Sequence, residues 1–115
     1  MFPVMGSRIW FYRHPIDFRK QMNSLIVLVA DQMGQNPANG DIYIFRSRCA
    51  SRIKILFWQN DGFWLCQKRM ETHPFRFPSI TDEQMPLTSH QFHWLLSGVN
   101  MSHAPAMVEP PKRFF

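Results

Sequence analysis

The spacing of apolar residues changes repeatedly along this chain, and each change marks an element. Arg8-Ile9-Trp10-Phe11-Tyr12 is rich in β-formers and reads as a first strand, which Pro15 stops. The spacing then becomes helical. Phe18, Met22, Leu25, Val29 and Met33 form one apolar stripe that Ile26 widens. Asp17 is placed to cap that helix, because its carboxylate can accept from the free amides of a first turn. Gly34 suits the position past its end, and Pro37 prevents a restart.

Asn39-Gly40 is a turn signal, and residues 41–47 read as a second strand. Residues 48–51 form a tight connection to a third strand over 52–59. Asn60-Asp61-Gly62 is a hairpin turn, since these residue types tolerate positive φ, and leads into a fourth strand over 63–70. Pro74, Pro78 and Pro86 punctuate a long irregular segment. Thr88 opens a second helix, with Gln91 three residues on completing a capping-box pattern. Phe92, Leu95, Leu96 and Val99 follow at helical spacing, and Gly98 marks the end. The expectation is an α+β fold. About four strands form an antiparallel sheet in the order β-α-β-β-β-α, the first helix packs on one face, and a C-terminal helix follows. Residues 1–7 read as a flexible lead-in, 8–101 as one domain, and 102–115 as an extended or disordered tail. The pattern leaves the first strand free to pair at either edge of the meander.

Composition supports a packed core. Of 115 residues, 45% are apolar and only 18% charged, which argues against disorder. The balance is basic, with 13 Lys+Arg against 8 Asp+Glu and a net charge of +5. That charge favours an acidic partner such as nucleic acid. Cys49 and Cys66 make no disulfide framework and no C-x-x-C pair, so they read as reduced thiols. The apolar run at 25–30 is too short to span a bilayer, and no signal-peptide profile precedes Arg8. A soluble cytoplasmic protein is expected.

The most informative stretch is the basic hairpin. Phe45-Arg46-Ser47-Arg48 ends the second strand, and Arg52-Ile53-Lys54 begins the third. Pairing about a centre near residue 50 sets Arg46 opposite Lys54 and Arg48 opposite Arg52, all on one side of the ribbon. Ile42 and Ile44 continue that side, opposite Trp58 and Leu56. Tyr43, Phe45, Ile53, Ile55 and Phe57 take the other side. Like charges placed opposite each other repel unless something neutralises them, and a phosphate backbone would do so. Lys68 and Arg69 extend the patch. Trp58 and Trp64 flank the Asn60-Asp61-Gly62 turn and are the aromatics best placed to reach outward.

Catalytic constellations are missing. His90 and His93 are one helical turn apart but lack a third ligand at recognisable spacing, so no metal and no cofactor is called for. The carboxylates are few and fall in turns, caps and loops, whereas a two-metal nuclease needs several of them converging. No glycine-rich phosphate loop and no nucleophile signature is present.

Six motifs in register carry a family resemblance over residues 8–100. Pro15-Ile16-Asp17-Phe18-Arg19-Lys20 is similar to P-x-D-M-R-K. Phe45-Arg46-Ser47-Arg48 with Arg52-Ile53-Lys54-Ile55-Leu56, Asp61-Gly62-Phe63-Trp64-Leu65 and Lys68-Arg69-Met70-Glu71 follow in the expected order. Phe75-Arg76-Phe77-Pro78 is similar to F-x-W-P, and residues 87–98 to L-T-x-x-Q-L-x-x-L-L-x-G. The chain thus resembles the TnpB, or Orf2-like, accessory proteins of the insertion-sequence family numbered sixty-six. These are distinct from the RNA-guided nuclease that shares the TnpB name. Gln21, Cys49-Ala50-Ser51 and Phe77 depart from the pattern.

The resemblance implies a role in DNA transposition beside two other element-encoded proteins, a transposase and a second accessory protein. It carries over no biochemical activity. Two readings follow for mechanism. In the first, a non-catalytic factor binds DNA, at the element ends, through Arg46, Arg48, Arg52 and Lys54 with support from Lys68 and Arg69. In the second, the chain is an adapter that holds the transposase through Trp58, Trp64 and Trp94 or through its proline-rich tail.

Overall fold

The computed structural model describes residues 7–77 and 79–98. Five strands and two helices follow in the order β1 (Ile9–Tyr12), α1 (Met22–Asp31), β2 (Ile42–Arg46), β3 (Arg52–Gln59), β4 (Gly62–Arg69), β5 (Gln84–Leu87) and α2 (Ser89–Leu96). The strands form one sheet in the order β4-β3-β2-β1-β5. The fold is α+β, but the sheet is mixed and has five strands. β1 pairs with β2 in parallel, Ile9 beside Ile42 and Phe11 beside Ile44. A parallel neighbour needs a crossover, and α1 supplies it.

β5 is the strand that the spacing did not announce. It runs antiparallel to β1, with Pro86 beside Trp10. Proline cannot donate to a ladder and is tolerated at a sheet edge, which is where β5 lies.

The sheet is covered on both faces. On one side Leu25 and Val29 of α1, with Met33 just past its end, meet Tyr12, Tyr43, Phe45 and Leu56. On the other, Phe92, Trp94 and Leu95 of α2, together with Phe75, meet Ile9, Phe11, Ile42, Ile44, Ile53, Ile55 and Phe57. Phe77 adds to this side by stacking on Phe11 at 4.8 Å between ring centres. β2 and β3 are therefore apolar on both faces, as strands sandwiched between helical layers must be.

α1 starts later than its stripe indicates. Asp17 caps a tight turn instead of the helix. Its Oδ1 accepts from the Arg19 amide at 2.9 Å, and its carbonyl accepts from the Lys20 amide at 2.9 Å. An Asp side chain that takes the amide two residues on competes with helix formation. The N-cap of α1 is Gln21, which makes no side-chain cap bond. α2 begins as expected. Thr88 Oγ1 accepts from the Gln91 amide at 3.1 Å, and Gln91 Oε1 accepts from the Thr88 amide at 2.9 Å. Val99, residues 1–6 of the lead-in and the tail at 102–115 lie outside the described residues.

Candidate nucleic-acid interface

The β2–β3 connection is closed by its own backbone. Ser47 N–H donates to the Arg52 carbonyl at 2.9 Å, and Ser47 Oγ accepts from the Arg52 amide at 3.1 Å. Four residues, 48–51, lie between them, and Ala50 takes φ +60° to complete the turn. The segment after β4 braces this loop. Met70 N–H donates to the Ser51 carbonyl and Phe75 N–H to the Ala50 carbonyl, at 2.8 and 2.7 Å. The tip is thus a fixed platform and not a free flap.

The register differs by one residue from the pairing centred near 50. Phe45 pairs with Lys54, Arg46 with Ile53, and Ile42 with Phe57. A slip of one moves every side chain of a strand to the other face. Arg46 and Lys54, expected side by side, point to opposite faces of the sheet. Arg46 lies on the α2 side. Its guanidinium donates to the Arg13 carbonyl at 2.7 Å and stands over the Phe77 ring at 5.5 Å. Lys54 lies on the α1 side and is only 4% exposed. Its ammonium donates to the Phe18 carbonyl at 2.9 Å and to the Lys20 carbonyl at 2.7 Å, and burial lowers its pKa.

The remaining four cations also separate. Lys68 pairs with Ile53 and shares the α2 side, where its ammonium donates to the Leu96 carbonyl at the end of α2. Arg52 and Arg69 are direct cross-strand partners on the α1 side. The Arg69 guanidinium meets Glu71 at 2.7 Å. Arg52 stands 5.4 Å from the centre of the Phe18 ring and has no carboxylate partner among the described residues. Arg48 is exposed on the loop and likewise has none. Cation repulsion at this end of the sheet acts between Arg52 and Lys54, which share the α1 side, and not among the set of four.

Arg48 and Arg52 edge a cleft of about 390 Å³ lined also by Ile16, Asp17, Phe18, Ser47 and Cys49. The cleft exists because two distant motifs dock. Ile16 N–H donates to the Arg46 carbonyl at 2.9 Å, and Ile16 forms a parallel bridge with Ser47. Lys54 then pins the following turn from beneath. Asp17 is held well below the usual carboxylate range by hydrogen bonds from the Arg19 side chain and amide, and its ion pair with Arg19 is 2.6 Å long. Its charge is therefore locally neutralised. The Cys49 thiol is brought down to about 7, chiefly by hydrogen bonding with the Ser51 hydroxyl, which lies 2.9 Å from Sγ.

Ile16, Phe18, Arg19 and Cys49 were not among the site residues read from the sequence. The signal for Ile16, Phe18 and Arg19 was the motif Pro15-Ile16-Asp17-Phe18-Arg19-Lys20, and for Cys49 its place in the turn between the two basic strands. The aromatic assignments also divide. Trp64 is 50% exposed on β4, whereas Trp94 is 1% exposed inside the α2 core and offers nothing to a partner. Trp58 is half-buried and meets Phe63 edge to face at 4.9 Å.

The family described as "IS66 Orf2 like protein" matches residues 7–106. The chain belongs to this family. Its members are insertion-sequence accessory proteins, so this is an accessory protein of transposition. Two proteins of Sinorhizobium fredii (strain NBRC 101917 / NGR234) are similar along nearly the whole chain. The one called uncharacterized protein y4jC is 32% identical over 111 residues, 96% of this chain and 93% of its own length. Uncharacterized protein y4hO is 29% identical over 105 residues, 91% of each. No solved structure matches. No helix among the described residues is long and apolar enough to cross a membrane.

Proposed function

We propose that this chain is a non-catalytic transposition factor that binds DNA at the β2–β3 end of its sheet. Arg48 and Arg52 contact phosphates, with Arg69 and Arg19 beside them. Lys54 and Arg46 shape the platform from within, and Lys68 ties β4 to α2. The observation that carries this reading is that Arg48 and Arg52 edge one cleft without a carboxylate partner among the described residues, in a chain of net charge +5. Phosphate contacts of this kind position a protein on DNA without reading sequence. The element ends, the transposase and the second accessory protein are the natural partners in that role.

The test is titration with duplex DNA at several salt concentrations. Arg48→Ala with Arg52→Ala is expected to weaken binding and to reduce the salt slope by about two units, roughly one per phosphate contact. Lys54→Met is expected to leave the slope unchanged, because its ammonium is engaged inside. Absence of binding at low salt overturns the reading.

The adapter reading rests on one observation, the exposed indole of Trp64 on an edge strand. Co-purification with the transposase that Trp64→Ser abolishes, in a protein that binds no DNA, favours it instead.

A further inference from the structure

The cleft between the 16–18 turn and the 47–52 loop is larger than phosphate contact requires. Its volume of about 390 Å³ is several times what a bare phosphate fills. It falls in the lower part of the range of small-molecule pockets, about 300–1,000 Å³. A volume of that size cannot admit a duplex. Its lining is divided: Ile16 and Phe18 form an apolar wall, and Arg48 and Arg52 stand as cations without carboxylate partners among the described residues. The acid in the lining, Asp17, is already saturated by Arg19, whose Nε and terminal nitrogen both bond it at 2.6–3.1 Å. An anion entering the cleft is therefore not repelled by a free carboxylate.

We infer that this cleft receives one unpaired nucleotide of the bound DNA, with its base against Ile16, Phe18 and the plane of Arg52 and its phosphate on Arg48. The inference rests on the DNA-binding reading and deepens it. A base has an apolar face that every sequence shares, so stacking on an aromatic or guanidinium surface selects an unpaired state and not a sequence. The wall is held in place for this. Lys54 fixes the carbonyls on either side of Arg19 and stands 4.8 Å from the Phe18 ring centre. The opposite wall is fixed by the backbone bonds of Ser47 with Arg52 and of Ala50 with Phe75. A duplex lying on Arg48 and Arg69 would present a frayed or overhanging terminal nucleotide to the cleft.

The experiment compares three DNA ligands with the full chain. They are a blunt duplex, the same duplex with one unpaired 2-aminopurine at an end, and the duplex with that 2-aminopurine paired. The expected result is about tenfold tighter binding of the overhang than of the blunt duplex, the usual scale of one stacked base. 2-Aminopurine fluorescence should change only for the unpaired base. Phe18→Leu, with folding checked by thermal melting, is expected to abolish both differences. Equal binding of overhang and blunt duplex, with no fluorescence change, overturns the inference and leaves the DNA-binding reading standing. Failure to bind any of the three at low salt overturns both.

Discussion

Lys54 and Phe18 are joined twice. The ammonium donates to the Phe18 carbonyl at 2.9 Å and stands 4.8 Å from the centre of the Phe18 ring. A cation placed so, with a second bond to the Lys20 carbonyl at 2.7 Å, ties the turn before α1 to the sheet. The Asp17 turn sets where α1 starts, and one buried side chain of β3 fixes how the cleft wall stands.

Removing that ammonium should loosen the wall. Lys54→Met keeps the apolar stem but leaves two carbonyls without their charged donor, and is expected to cost about 1–3 kcal/mol. Urea unfolding measures it. The pH dependence has a definite sign. Burial lowers the folded pKa of Lys54 below its ordinary 10.5, with the neighbouring Arg52 charge adding to the effect. Between the lowered value and 10.5 the unfolded chain binds the proton that the folded one has lost. Lys54 therefore makes stability rise with pH across that window, and the advantage of wild type over Lys54→Met should widen as pH rises through it. Outside the window the difference should be flat. Tyr43 acts oppositely above pH 10, since burial pushes it up to about 12.

The two thiols should be distinguishable by alkylation. Cys49 is exposed and titrates at about 7, whereas burial raises Cys66. Iodoacetamide should modify Cys49 first, with a rate that is half-maximal near pH 7, followed by mass spectrometry of the peptides. Ser51→Ala removes the main hydrogen bond to the sulfur and should move the midpoint upward.

The β3–β4 turn is carried by Asn60 and Asp61, at φ +52° and +64°, and not by Gly62. Gly62 pairs with Gln59, and a Cβ added there meets nothing within 4 Å. Two residues at positive φ are what a two-residue hairpin loop needs to follow the twist of its strands. Gly62→Ala should change stability by less than about 0.5 kcal/mol. Asp61→Val should cost about 1–3 kcal/mol, because a β-branched residue is strained at that φ. Thermal melting of the two variants separates them.

Gly98 is the opposite case. Its φ is +78°, and an added Cβ would lie 2.8 Å from Met70 Cε and 3.0 Å from His73 Cε1. Gly98→Ala should cost about 1–3 kcal/mol, measured by denaturant unfolding, because the strained φ persists even if the Met70 side chain moves.

The sequence by itself determined the elements that local chemistry encodes. The capping box at Thr88 and Gln91, the Asn60-Asp61 turn and the stripe of Leu25, Val29 and Met33 each state their structure within a few residues, because the interacting groups are close along the chain. It also located the cleft's two halves, as one motif ending at Lys20 and another around Arg48 and Arg52, and the family to which they belong. Tertiary structure alone decided how the halves meet. β2 and β3 are buried on both faces, so their apolar runs do not alternate, and nothing in Ile42 through Arg46 says which parity faces which helix. The register was set by the four-residue closure between Ser47 and Arg52 and by the two helical layers. That single step sent Arg46 and Lys54 to opposite sides of the sheet. β5 had no local signal for the same kind of reason: four residues around Pro86 become a strand only because β1 offers them an edge.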